Sequence, residues 1–101
     1  MTDRPLFIRP EAKQDLDEAR AWYDQQQEGL GSEFLAKVYE RFEEIEQSPQ
    51  HYAAGYRGVR AANVDRFPYV VRFAEINSRI EVIAVHHGSR NSREWRRRAR
   101  N

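Results

Sequence analysis

The stretch from Arg66 to Arg90, RFPYVVRFAEINSRIEVIAVHHGSR, constrains the fold more than any other part of the chain. From Tyr69 to Glu75, Tyr69, Val71 and Phe73 share one face and Val70, Arg72 and Ala74 the other, the period-two alternation of a strand with one wetter side. From Arg79 to Val85 the residues after Glu81 are apolar on both faces and rich in β-branched types, which suits a strand covered from both sides near the middle of a sheet. Asn77 and Ser78 lie between the two runs; Asn tolerates positive φ, and both side chains can bond nearby backbone groups. The spacing predicts a hairpin. Beyond Val85 the pattern turns to His86, His87, Gly88, Ser89 and Arg90, so a core strand delivers ionisable groups to the edge of the sheet.

The segments before this hairpin supply its cover. Leu6, Phe7 and Ile8 form a first short strand ended by Pro10, which opens a helix because its missing N–H costs nothing in the first turn. Ala12, Leu16, Ala19 and Tyr23 recur at helical spacing with Trp22 beside them, down to Glu28, and Gly29 ends the helix. After Gly29-Leu30-Gly31, with Ser32 expected as its cap, a second helix carries Phe34, Leu35, Val38, Phe42 and Ile45 on one stripe and stops at Ser48-Pro49. The aromatic stripe Trp22, Tyr23, Phe34 and Phe42 reads as core packing. Residues 57–64, RGVRAANV, read as a weaker strand carrying Arg57 and Arg60, with Val59 and Ala61 facing inward, and Pro68 belongs at the start of the strand that follows. The tail from about residue 91 is basic, anchored by Trp95, and is expected to form one helical turn and then disorder. The order β-α-α-β-β-β gives an α+β fold: a helical hairpin on one face of a small, mostly antiparallel sheet whose other face stays partly open.

A length of 101 residues fits one domain, 1–101, and 40% hydrophobic content suffices for one modest core. The chain has no cysteine, which rules out disulfides and thiolate chemistry and fits a reducing cytoplasm. Apolar runs are far too short to span a bilayer, and MTDRPLFIRPE lacks the apolar core of a signal peptide, so no membrane partner is expected. A net charge of +1 conceals a split: 12 of 16 acids precede residue 51, whereas 11 of 17 bases follow it, all of them arginine. Guanidinium groups pair bidentately with carboxylate or phosphate, so this half is either an anion-binding face or a surface paired with helix carboxylates.

No cofactor is expected, because Gly29-Leu30-Gly31 lacks the third glycine and the preceding strand of a dinucleotide fingerprint. Nor is a metal: adjacent histidines on a strand point to opposite faces, so His86 and His87 do not share an ion. What remains is a ribonuclease-like arrangement in which arginines stabilise phosphorane charge and a histidine moves protons, with Arg60, Arg72, Arg90, His86 and His87 as its parts. Taken singly, each of these residues also fits packing or pairing.

Three segments, EAKQDLDEARAWYDQQQEGLGSEFL at 11–35, IEQSPQHY at 45–52, and RFPYVVRF with IEVIAVHHGSRNSREWRRR within 66–98, together resemble the RelE/ParE superfamily of type II toxin–antitoxin toxins. The resemblance covers nearly the whole chain. It implies the element order above and a cognate antitoxin, usually encoded beside the toxin, whose C-terminal segment lies across it. RelE-like members cleave messenger RNA in the ribosome with a basic residue on the third strand, an arginine after the fourth and a C-terminal tyrosine or histidine. Arg90 matches the second of these; Tyr69 and Trp95 stand where the others would be. ParE-like members poison DNA gyrase, and the FPY stretch leans that way. The resemblance therefore implies a ParE-like toxin with Arg57, Arg60, Arg72, Arg90, Trp95, Arg96, Arg97 and Arg98 as its target- or antitoxin-binding surface. The alternatives are a ribosome-dependent endoribonuclease and an inert binding module. The antitoxin segment is expected to carry acidic and apolar residues.

Overall fold

The computed structural model describes residues 5–100, in the order β1 (Leu6–Ile8), α1 (Pro10–Gln26), α2 (Leu30–Gln47), β2 (Arg60–Asn63), β3 (Tyr69–Ile76), β4 (Arg79–His87) and α3 (Arg93–Ala99). Residues 1–4 and Asn101 of the expected 1–101 domain lie outside the described residues. The four-stranded sheet has the order β1-β4-β3-β2; β1 runs parallel to β4 and the other pairings are antiparallel. The strand that is apolar on both faces, β4, is central. Its turn from β3 uses Asn77 at φ 50° and Ser78 at φ 65°, both left-handed, so the twist of the turn matches that of the strands.

On one face of the sheet, α1 and α2 bury Ala12, Leu16, Ala19, Tyr23, Phe34, Val38, Phe42 and Ile45 against Val71, Phe73, Ile80, Val82 and Val85. Each of the larger side chains contributes about 1.5–3 kcal/mol by leaving water. The two helices meet closely at their joint. Gly29, at φ 87°, precedes α2, so Ser32 lies inside the helix and does not cap it. Asp24 Oδ1 of α1 instead accepts the Gly31 N–H at 2.8 Å. A Cβ at Gly31 would stand 2.5 Å from the Arg20 carbonyl oxygen, so only glycine admits this approach.

Four expectations are corrected. The second face of the sheet is not left open: α3 lies over it, burying Trp95 with Val59, Ala74, Ile83 and Ala84. The tail is therefore a packed helix and Trp95 a core residue. The weak strand is shorter than expected, leaving Arg57 in a 3₁₀ turn at left-handed φ 53°, and it faces the other way, with Ala62 and Val64 toward the helical hairpin and Val59 under α3. Trp22 lies outside the aromatic core, 54% exposed on α1. Within the sheet, Arg72 pairs with Ala84 and Phe73 with Val82, so Ile83 bulges from β4 and every later side chain changes face. That bulge turns His86 toward Arg72 and Trp95.

Gly31→Ala tests the helix joint. The added methyl should force α1 and α2 apart and cost about 1–3 kcal/mol, read as a drop of several degrees in thermal unfolding; an unchanged midpoint would show that the joint opens freely.

Candidate functional site

Between α1 and the ends of β3 and β4 lies a cleft of ≈ 630 Å³. Trp22, Asp15 and Glu18 form its α1 wall; Tyr69, His87 and Arg90 form the opposite one. The turn Gly88 to Arg90 shapes this rim, since Gly88 N–H bonds the Pro68 carbonyl at 2.7 Å and Arg90 N–H bonds the His87 carbonyl at 3.0 Å. Tyr69 packs edge-on against His87 with ring centroids 5.5 Å apart. Burial, and then Asp15, push the Tyr69 phenol above its ordinary value although Arg90 opposes them, so Tyr69 is a neutral donor at physiological pH.

The two histidines are held by different partners. His86 Nδ1 is 2.8 Å from the His87 carbonyl oxygen, which only accepts, so Nδ1 carries the proton; Nε2 then accepts from Arg72 Nε at 3.0 Å. A second proton on His86 would break that bond and set two cations together. Burial, reinforced by Arg72 and opposed by the carbonyl contact, holds His86 below the ordinary histidine range. His87 Nδ1 accepts from the Ser89 N–H at 3.1 Å and the Ser89 hydroxyl at 2.8 Å, leaving Nε2 as its N–H. Neither ring has a free basic nitrogen.

The arginines divide between fold and surface. Arg98 forms a bidentate pair with Asp15, Nη1 to Oδ2 at 2.8 Å and Nη2 to Oδ1 at 3.1 Å, with side chains only 12% and 15% exposed. Its Nη1 also bonds the Ile83 carbonyl at 3.1 Å. Arg60 bonds the Tyr52 carbonyl and faces Glu75 at 3.7 Å, and Arg97 pairs with Glu94 at 2.6 Å. Arg72 stacks on Trp95, 4.3 Å from the ring centroid. Arg57, Arg90 and Arg96 remain exposed. The structure thus brings His87 and Arg90 to one cleft, turns His86 toward Arg72, and uses Arg60 and Arg98 within the fold. Sequence reasoning missed Asp15, Glu18, Trp22 and Tyr69 as cleft residues; the signal was Trp22 standing one position off the buried stripe. Among the described residues no group of three His, Asp or Glu is arranged to hold a metal, and no helix is long and apolar enough to cross a membrane.

The family model of the ParE toxin of the type II toxin–antitoxin system, parDE, matches residues 6–92. Among solved structures, a chain described as belonging to the chromosomal ParDE TA system from P. aeruginosa superposes with a TM-score of 0.75 at 18% identity, over 83% of this chain and 95% of that one. At that identity the likeness speaks to the fold. No curated protein matches the chain.

The neutral His86 has a consequence for stability. Its folded-state proton affinity lies below the unfolded value of about 6.5, so the unfolded chain binds more protons as pH falls through that region and stability is lost there. Denaturant unfolding between about pH 6.5 and 5 should therefore show a decline that His86→Gln, which keeps the bond to Arg72 without titrating, makes shallower. An unaltered slope in that variant would refute the neutral, acceptor role of His86.

Proposed function

Because the chain belongs to the ParE toxin family of type II toxin–antitoxin systems, we propose that it arrests bacterial growth in the cytoplasm by poisoning DNA gyrase, and that a cognate antitoxin neutralises it. The observation that carries this reading is the state of the histidines. General-base catalysis by a histidine needs an imidazole nitrogen with a free lone pair within reach of the attacking hydroxyl. In this chain both lone pairs are committed, to Arg72 and to Ser89. Of the other ribonuclease parts, Arg60 holds the Tyr52 carbonyl and faces Glu75, Arg72 stacks on Trp95 and bonds His86, and Arg90 stays exposed in the cleft; Trp95, where a terminal tyrosine or histidine would be, is buried. With neither cleft histidine free to take a proton, the arrangement suits action by binding, so gyrase poisoning is favoured over message cleavage.

Antitoxin recognition follows from the cleft. Trp22 and Tyr39 are exposed aromatics on the helical hairpin, at 54% and 49%, and large exposed rings are the side chains that anchor interfaces. With α3 over the sheet, the antitoxin meets helix grooves here, with an apolar anchor beside Trp22. Because Glu18 stands opposite Arg90 while Asp15 is paired with Arg98, this segment needs a basic group beside the acidic and apolar residues expected of it.

Two measurements test the proposal. Purified toxin added to gyrase with supercoiled DNA should block supercoiling and accumulate broken DNA, while translating ribosomes keep their message intact; ribosome-dependent cuts with gyrase unaffected would reverse the assignment. Trp22→Ala should weaken antitoxin binding by about 1–3 kcal/mol with little change in thermal stability, since the ring is largely exposed. Unchanged antitoxin affinity would move the interface away from the cleft.

A further inference from the structure

The α3 side of the molecule carries arginines that the fold does not neutralise. Arg57, Arg96 and Arg100 are exposed and Arg72 is half-buried, and no ion pair joins any of the four to a carboxylate among the described residues. Nearby acids are committed elsewhere: Glu75 faces Arg60 at 3.7 Å, and Glu94 takes Arg97 and Arg98 at 2.6 and 3.2 Å. Aromatic rings hold the arginines in place. Arg72 lies 4.3 Å from the Trp95 centroid; Arg96 bridges Trp95 and Tyr56 at 5.4 and 5.0 Å; Arg57 stands 5.9 Å from Tyr56. A ring face orients a guanidinium without consuming its N–H donors, whose edges stay available to an anion.

The patch is also electrostatically uncompensated. Arg57, and after it Arg100, hold the Tyr56 phenol below its ordinary value against the effect of burial. Burial, and then the neighbouring Arg96 charge, weaken the hold of Arg72 on its proton. An anion bound among these groups relieves that repulsion.

Partner class follows from what the patch lacks. Protein interfaces rest on exposed apolar anchors, and the large exposed ones here, Trp22 and Tyr39, lie on the helical hairpin, while Phe7 sits under Arg79, 4.3 Å from its guanidinium carbon. Single strands bind by stacking bases on open rings, but Trp95 and Tyr56 are already covered by guanidinium groups. A duplex backbone needs neither feature. We infer that the patch binds the phosphodiester backbone of duplex DNA without regard to sequence, with Arg57, Arg96 and Arg100 contacting phosphates and Arg72 adding fixed charge behind them. This binding does not depend on gyrase being the target. Arg96 and Arg100 lie beyond the residues that match the family, so the surface is carried partly by this chain's own last helix.

Fluorescence anisotropy of the full chain with a labelled mixed-sequence duplex of about 20 base pairs tests this. Three phosphate contacts give a log–log salt slope near −3, a loss of roughly fortyfold in affinity from about 50 to 200 mM salt. Arg57→Ala, Arg96→Ala and Arg100→Ala should each reduce the slope by about one without moving the thermal midpoint, whereas Lys13→Ala on α1 should leave it unchanged. Arg96→Lys should keep the slope and weaken binding, because it retains the charge and loses the planar fork. The inference is overturned by no binding at low salt, by a Lys13→Ala effect equal to that of the patch variants, or by tighter binding to a single strand of equal charge. Displacement of the duplex by polyglutamate at equal charge concentration would likewise overturn it and make the surface one for acidic peptides.

Discussion

The structure depends on how the exposed edge of its central strand is closed. β1 pairs with β4 only as far as Val82, yet β4 continues to His87. Beyond Val82 the Ile83 carbonyl and the Val85 N–H face outward with no strand to meet them, a costly state for groups at the margin of a core. Asp15 accepts the Val85 N–H at 3.0 Å and Arg98 donates to the Ile83 carbonyl at 3.1 Å, while the two side chains pair bidentately with each other. One ion pair thus stands in for the missing strand. It also joins the first helix, the central strand and the last helix at a single point.

Docking of α3 is a consequence of that clamp. A helix as short as Arg93–Ala99 has no stability of its own in water. Held by Arg98, it lays Trp95 over Ile83 and Ala84, and Arg9 adds a bond from Nη1 to the Arg98 carbonyl at 3.1 Å. Arg9 Nε and Arg79 Nε also hold Glu81, at 2.9 and 3.0 Å; burial pushes that carboxyl up, and the two guanidinium groups more than offset it, leaving it below the ordinary range. Asp15, Glu75, Glu81 and Glu94 each take an arginine that the fold holds. The arginines left over, with the rings that orient them, define one face, while the exposed aromatics of the helical hairpin define the other. A protein partner at the hairpin and a polyanion at α3 therefore need not compete.

How much of this was legible in the sequence depends on the range of the interactions involved. The β3–β4 hairpin, the two amphipathic helices and the central position of β4 follow from local periodicity, and the structure has them. The packed tail was hidden, because the basic run of α3 becomes a helix only through Asp15, 83 residues away. The family resemblance implied Arg98 as part of a binding surface, and its distant partner Asp15 shows its structural use. The bulge at Ile83 leaves no mark in a run that is apolar on both faces, yet it decides which side His86 serves. Likewise, nothing in the sequence marks Arg72 as the partner of His86, or Ser89 as that of His87. Trp22 was assigned to the core because its neighbour Tyr23 belongs there, although one step along a helix changes the face.

The clamp itself is most directly tested by a double-mutant cycle on Asp15→Ala and Arg98→Ala, read by urea unfolding of the single and double variants. A hydrogen-bonded pair this sheltered should show a coupling of about 1–3 kcal/mol, with the double variant far less destabilised than the sum of the two singles. Losses that add within about 0.5 kcal/mol would contradict the clamp and return Arg98 to the surface, with α3 held by Trp95 alone.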